Sequence, residues 1–194
     1  MPNLFKNEYK AVSTPGDGSC LYHMFSLCFF SDTKHMVLFR LLCMISLYQN
    51  RDFFLEIIKN RLKAIYSACS SDSIKTMSQN KFEILLLESR KIGQWANEYH
   101  ILALSIILDI NIFIYNSFDV PNNITSNDLL KKAFDNRTFL GNHLIYTKYE
   151  NNTSVINFIC GYFDSISKHY TAILPTSVNS LEYRPISNIF NGFM

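Results

Sequence analysis

Thr14-Pro15-Gly16-Asp17-Gly18-Ser19-Cys20-Leu21-Tyr22-His23-Met24-Phe25 is the stretch from which the rest of the chain is read. A proline and two glycines make a turn, with Asp17 inside it. Cys20 closes that turn where an apolar run begins. The first turn of a helix carries unpaired N–H groups and the positive end of the dipole, and both favour thiolate over thiol. The same N–H groups can hold an oxyanion as it forms. The glycines have no Cβ, so a substrate backbone can come close. Cys20 is therefore the candidate nucleophile.

Outward from this turn, Tyr9-Lys10-Ala11-Val12 reads as a short lead-in strand. Leu21, Met24, Phe25 and Cys28 recur at helical spacing and predict a helix to about Phe30. Ser31-Asp32 is expected to turn the chain and cap a second helix over about 33–48, apolar on nearly every face and buried. Asp52 is the expected cap of a third helix to about Ser67, with Phe54, Ile57, Ile58, Leu62 and Ile65 on one face. A polar break at 70–73 precedes a helical region over 74–91, with Phe82, Leu85 and Leu86 inward. Tyr99, Leu102, Ala103, Ile106 and Ile107 mark the cleanest helix, ending near Asp109 before a strand at Ile112–Tyr115. A loop over 116–127 and a short helix over 128–134 follow. Strands are then expected at 144–149, 155–162 and 169–174, with a hairpin turn at 150–153 and a loop at 163–168. Helices first and strands last suit an α+β layering, a small, mainly antiparallel sheet packed between helices.

Thiol acyl transfer needs a base near the thiol and donors for the oxyanion. The chain has five histidines, His23, His35, His100, His143 and His169. His23 is three residues from Cys20, a spacing that rarely gives in-line geometry for attack and proton transfer. His35 and His100 lie in helical stretches, where surface or core roles are the rule. His143 begins a strand and stays open as a base. His169 opens a strand after a polar loop, where an imidazole can be aimed at a helix N-terminus, and is preferred.

Asp17-Gly18-Ser19-Cys20-Leu21-Tyr22 resembles the Asp-Gly-x-Cys-Leu-aromatic signature of the ovarian tumour (OTU) family of cysteine proteases. His169-Tyr170 resembles the family's late His-Tyr, and the block from Trp95 to Leu104, leading into Ile112–Tyr115, resembles its tryptophan, helix and strand. The three blocks stand in the family's order and cover about residues 9–175 of a chain expected to be one domain over 1–194, with 176–194 as a C-terminal extension. The resemblance implies a papain-like OTU fold, with Cys20 as nucleophile and His169 as base and later acid. It implies that Asp17 shapes the loop whose amides, those of Asp17 and Cys20 included, form the oxyanion hole. Trp95, Gly18, Ser19 and Lys168 are the expected substrate contacts, and pairing with His169 is expected to lower the thiol pKa to about 3–4. Many family members carry Asp or Asn two residues after the histidine; Thr171 stands there in this chain. The third member is therefore open between Thr171, an acid elsewhere such as Asp164, the N-terminal segment, and a plain dyad.

The implied function is a deubiquitinating thiol protease. It would hydrolyse the bond after the C-terminal Gly-Gly of ubiquitin or a ubiquitin-like protein through a thioester. Ubiquitin, polyubiquitin or ubiquitin-like proteins are the implied partners, and no cofactor or metal is implied. The alternative is a weak or inactive ubiquitin-binding module of the same fold, and a third reading is a thiol hydrolase of small amides.

Composition narrows these classes. The chain has 194 residues, 48% hydrophobic and 18% charged, which is a globular balance. The formal net charge is +2 and the basic residues are scattered, so no nucleic-acid groove is expected. The five cysteines, Cys20, Cys28, Cys43, Cys69 and Cys160, form no Cys-x-x-Cys pair, which argues against structural zinc and a disulfide framework. Free thiols and no hydrophobic N-terminal signal segment lead to the expectation of a reducing, cytoplasmic setting. Neither Met36–Tyr48 nor Ile101–Tyr115 reaches membrane-spanning length, so no membrane partner is expected, and a monomer is. The small size and AT-rich-type composition suit a viral or intracellular-bacterial effector, working in host cytoplasm.

Overall fold

The computed structural model describes residues 9–116, 158–164 and 166–175. In chain order these form β1 (Tyr9–Val12), α1 (Cys20–Phe30), α2 (Met36–Gln49), α3 (Arg51–Ile65), α4 (Ser71–Ser89), α5 (Glu98–Leu108), β2 (Asn111–Asn116), β3 (Phe158–Asp164) and β4 (His169–Pro175). The expected segments over 117–157 and 176–194 lie outside the described residues.

Apolar residues surround α1, so it can only be central: Leu21, Tyr22, Met24 and Phe25 are buried on successive sides. It stops at Ser31, whose left-handed backbone lets its N–H donate to the Leu27 carbonyl. Asp32 does not cap the next helix. Its Oδ1 accepts from Lys34 N at 2.9 Å within the connecting turn, and α2 starts later, at Met36. Asp52 does not cap α3 either; Asn50 holds that place, and Asp52 lies in the first turn, where a carboxylate suits the dipole. Phe54, Ile58 and Leu62 turn inward as the pattern predicts, but Ile65, the last residue of α3, is 67% exposed. The serine-rich break is itself a helix start: Ser70 Oγ accepts from Ser73 N at 3.2 Å, so α4 begins three residues earlier than its apolar pattern. Asn97 caps α5 by accepting from Tyr99 N at 3.0 Å.

The strands form one sheet in the order β1-β4-β3-β2. β1–β4 and β4–β3 are antiparallel, and β3–β2 is parallel. β3 ends at Asp164, opposite His169, so a tight turn replaces the longer loop expected from 163. Helix α1 lies on β4 and β3, α5 on β2, and α2 against α1 and α5. Gly161 permits the close fit of α1 to the sheet: a Cβ there would lie 2.3 Å from Met24 Sδ and 2.9 Å from Ile114 Cδ1. The architecture is thus α+β with a mainly antiparallel sheet, and it sets the start of α1 beside the start of β4.

Candidate active site

The turn before Cys20 is held by Asp17. Its Oδ1 accepts from Ser19 N at 2.8 Å, and its Oδ2 lies 3.0 Å from His23 Nε2. The other His23 nitrogen lies 3.0 Å from the Thr33 carbonyl. Burial pushes the Asp17 carboxyl up, but the His23 and Ser19 hydrogen bonds outweigh it and hold the group below its ordinary value. His23 is therefore engaged on both nitrogens, one with the turn before Cys20 and one with the connection after α1.

Gly18 has φ +79°, and a Cβ there would sit 1.8 Å from the Gly93 carbonyl oxygen. The turn therefore packs directly on the segment that leads to Trp95. Ser19 is fully buried; its Oγ accepts from Arg40 Nη2 at 3.1 Å and from Gly93 N at 3.3 Å. Arg40 lies over the Tyr22 ring and also donates to the carbonyls of Ser89 at 2.9 Å and Gln94 at 3.0 Å. Gly18, by lacking a side chain, and Ser19, through its hydroxyl, thus serve to join two loops, and no Ser19 side-chain atom is left for the expected substrate contact.

Cys20 opens α1 and is nearly buried, and its N–H has no acceptor within the helix. Burial pushes its thiol up; the amides of Tyr170, Leu21 and Cys20 pull the other way without prevailing, and the Asp17 charge adds to the rise. The expected low thiol pKa is therefore absent from the resting site, because desolvation of the helix start outweighs its dipole.

His169 is the first residue of β4, and Tyr170, whose amide favours the Cys20 thiolate, follows it. The His169 ring lies 3.1 Å, through Nε2, from Thr14 Oγ1. Thr14 is buried and donates to the Tyr170 carbonyl at 2.5 Å. Thr171 faces Tyr162 in the ladder, and Asp164 faces His169 itself. The Asp164 carboxylate accepts from Ser167 Oγ at 2.7 Å and Ile166 N at 3.0 Å; these bonds, with the nearby imidazole, hold it below its ordinary value. It closes the turn rather than the ring. His100 is a core residue, its Nε2 2.8 Å from Ser89 Oγ, and burial with the Arg40 charge brings it down to about 4. His35 sits near Asp32, 3.8 Å away, and His143 lies outside the described residues.

A cleft of about 270 Å³ opens at Cys20. Trp95 and Lys168 line it, as do Glu98 and the apolar Ile101 and Phe163. Trp95 is half exposed, with Lys168 Nζ 5.8 Å from its ring centre. Glu98 is paired with Arg61. Lys168 and Tyr170, the two neighbours of His169, both line the cleft, while Lys168 takes a left-handed backbone, φ +52°. Two contributors escaped the sequence reading, Thr14 and Arg40. Thr14 adjoins the motif, but only the β1–β4 pairing brings it to His169. Arg40 had one signal, a lone charge inside an apolar helix.

A family model described as "Vertnin, OTU domain" matches residues 11–156. The chain belongs to the OTU domain family. Solved structures of the viral OTU domain proteases from Farallon virus and Taggert virus are similar to this OTU domain. The first is 12% identical, with 89% of this chain and 87% of that chain covered and a TM-score of 0.54. The second is also 12% identical, with 91% and 86% covered and a TM-score of 0.50. At such identity the likeness is one of fold. No curated protein matches the sequence.

Proposed function

We propose that this OTU domain is a cysteine-type deubiquitinase in which Cys20 is the nucleophile and His169 the base. The observation that carries the reading is the meeting of α1 and β4: a cysteine at the helix start shares a cleft with both neighbours of a strand-start histidine. Membership of the OTU domain family supports ubiquitin or a ubiquitin-like protein as the substrate class of this reading. In the proposed reaction the Cys20 Sγ proton passes to His169 and the sulfur attacks the carbonyl of the substrate's terminal glycine. The N–H groups of Cys20 and Asp17 hold the oxyanion. Collapse breaks the C–N bond, and His169 returns the proton to the departing lysine amine. Water, deprotonated by His169, then hydrolyses the thioester. Asp17 and His23 keep the turn in shape throughout. The resting thiol is mostly protonated, so proton transfer belongs to the attack step rather than to the free enzyme.

Ubiquitin carrying an electrophilic C-terminus tests this. Covalent capture by the wild type, lost in Cys20→Ala and reduced by orders of magnitude in His169→Ala, is the expected result. Binding without capture would instead make the protein a ubiquitin-binding module. Cleavage of small amides with di-ubiquitin left intact would move the substrate class.

A further inference from the structure

We infer that Thr14 is the positioning residue of His169, holding the ring with its proton on Nε2 and leaving Nδ1 as the basic nitrogen. The inference rests on the reading of Cys20 and His169 as the reactive pair and goes beyond it by naming the group that orients the base.

The Thr14 hydroxyl has one proton and two lone pairs. Its oxygen is 2.5 Å from the Tyr170 carbonyl oxygen, which can only accept, so the proton is committed there. What remains toward His169 Nε2, at 3.1 Å, is a lone pair. That contact is a hydrogen bond only when Nε2 carries the proton. A neutral imidazole has a single N–H, so its Nδ1 must then hold the free electron pair. The tautomer is set by one hydroxyl whose own direction is set by the backbone it binds.

The support is rigid. Thr14 is buried and lies two residues beyond β1, whose Val12 pairs with Ala172 of β4. The strand that carries the histidine is thus hydrogen-bonded to the strand that delivers its partner. Thr171, at the place where an acid or amide would be expected, is not the residue bonded to the ring. Asp164 is opposite His169 but is engaged with Ile166 N and Ser167 Oγ. Thr14 supplies direction without charge. The imidazolium formed during attack is accordingly oriented at Nε2 but not neutralised there.

Nitrogen-15 NMR of histidine-labelled protein reads the tautomer directly, whether or not the protein turns over. The expected result for neutral His169 is an Nε2–H signal pattern in the wild type and in Thr14→Ser, and a mixed or Nδ1–H pattern in Thr14→Val. Kinetics with a ubiquitin C-terminal substrate should show kcat down at least tenfold in Thr14→Val with KM unchanged. Thr14→Ser and Thr171→Val should stay within threefold of the wild type. An Nδ1–H pattern in the wild type overturns the inference, as does Thr14→Val with wild-type kcat, or Thr171→Val with the larger loss. A wild type that shows the Nε2–H pattern but is not captured by ubiquitin refutes the proposed function and leaves the assignment of Thr14 as the ring's partner standing. If Thr14→Val does not fold, the wild-type and Thr14→Ser spectra still decide.

Discussion

Replacing Gly18 by alanine adds one methyl group at the point where the nucleophile turn meets the Gly93 segment. Two costs arise together. The backbone there has φ +79°, and an L-residue in the left-handed region costs about 1–2 kcal/mol. The new Cβ would lie 1.8 Å from the Gly93 oxygen and 2.6 Å from its carbonyl carbon, backbone atoms that cannot swing aside. Overpacking of that kind costs about 1–3 kcal/mol. The sum is about 2–5 kcal/mol, a large share of the roughly 5–15 kcal/mol by which a domain is folded. For a chain of this size it should lower Tm by about 4 °C or more. Urea unfolding followed by Trp95, the one tryptophan, measures it. Gly16→Ala is the internal control: no atom lies within 4 Å of its Cβ, so it should be neutral or stabilising by up to about 1 kcal/mol. Since Ser19 and Cys20 follow Gly18, ubiquitin capture should slow in Gly18→Ala as well. Wild-type stability in Gly18→Ala, within about 0.5 kcal/mol, would refute the packing argument. So would an equal loss in Gly16→Ala.

Arg40→Met removes the donors to Ser19 Oγ and to the Ser89 and Gln94 carbonyls, and should cost about 2–4 kcal/mol and slow capture, with Arg40→Lys between. An unchanged urea midpoint in Arg40→Met would remove the strut from the account. His100, brought down to about 4 by burial and by Arg40, binds its proton more readily when unfolded, with an ordinary value near ~6.5. Its contribution is complete above that value and is lost as pH falls toward 4, about 2 kcal/mol of it by pH 5. Urea titrations at pH 7 and 5 should show that drop, and His100→Asn should lack most of it; an equal drop in both would clear His100. Because burial raises the Cys20 thiol, iodoacetamide should alkylate it slowly at pH 7 and faster through pH 9, behind the exposed Cys69. Fast alkylation of Cys20 already at pH 5 would reveal an ion pair with His169 instead.

Local pattern was enough for α1, α5 and the strands at β1, β2 and β4, because side-chain period and turn chemistry are properties of neighbours in the chain. Pattern misplaced the starts of α2, α3 and α4; at α4 the Ser70 cap rather than apolar spacing decides, while α2 and α3 begin without a side-chain cap bond. It also expected β3 to end earlier and Ile65 to be buried. Asp17 could be assigned to loop shaping from its place in the motif; that it does so together with His23 required the turn after α1 to bring Thr33 within reach.

The sequence by itself determined the family, the α+β layering and the candidate thiol and imidazole, all written in short stretches whose spacing survives any packing. Only the tertiary structure decided that Thr14 meets His169, that Arg40 ties the nucleophile turn to the Trp95 segment, and that Gly18 and Ser19 serve packing first. It alone also decided that the Cys20 thiol is raised rather than lowered. Each of these depends on distance and burial across strands and loops far apart in the chain. Electrostatics and close packing respond to what is near in space, and no local pattern encodes that.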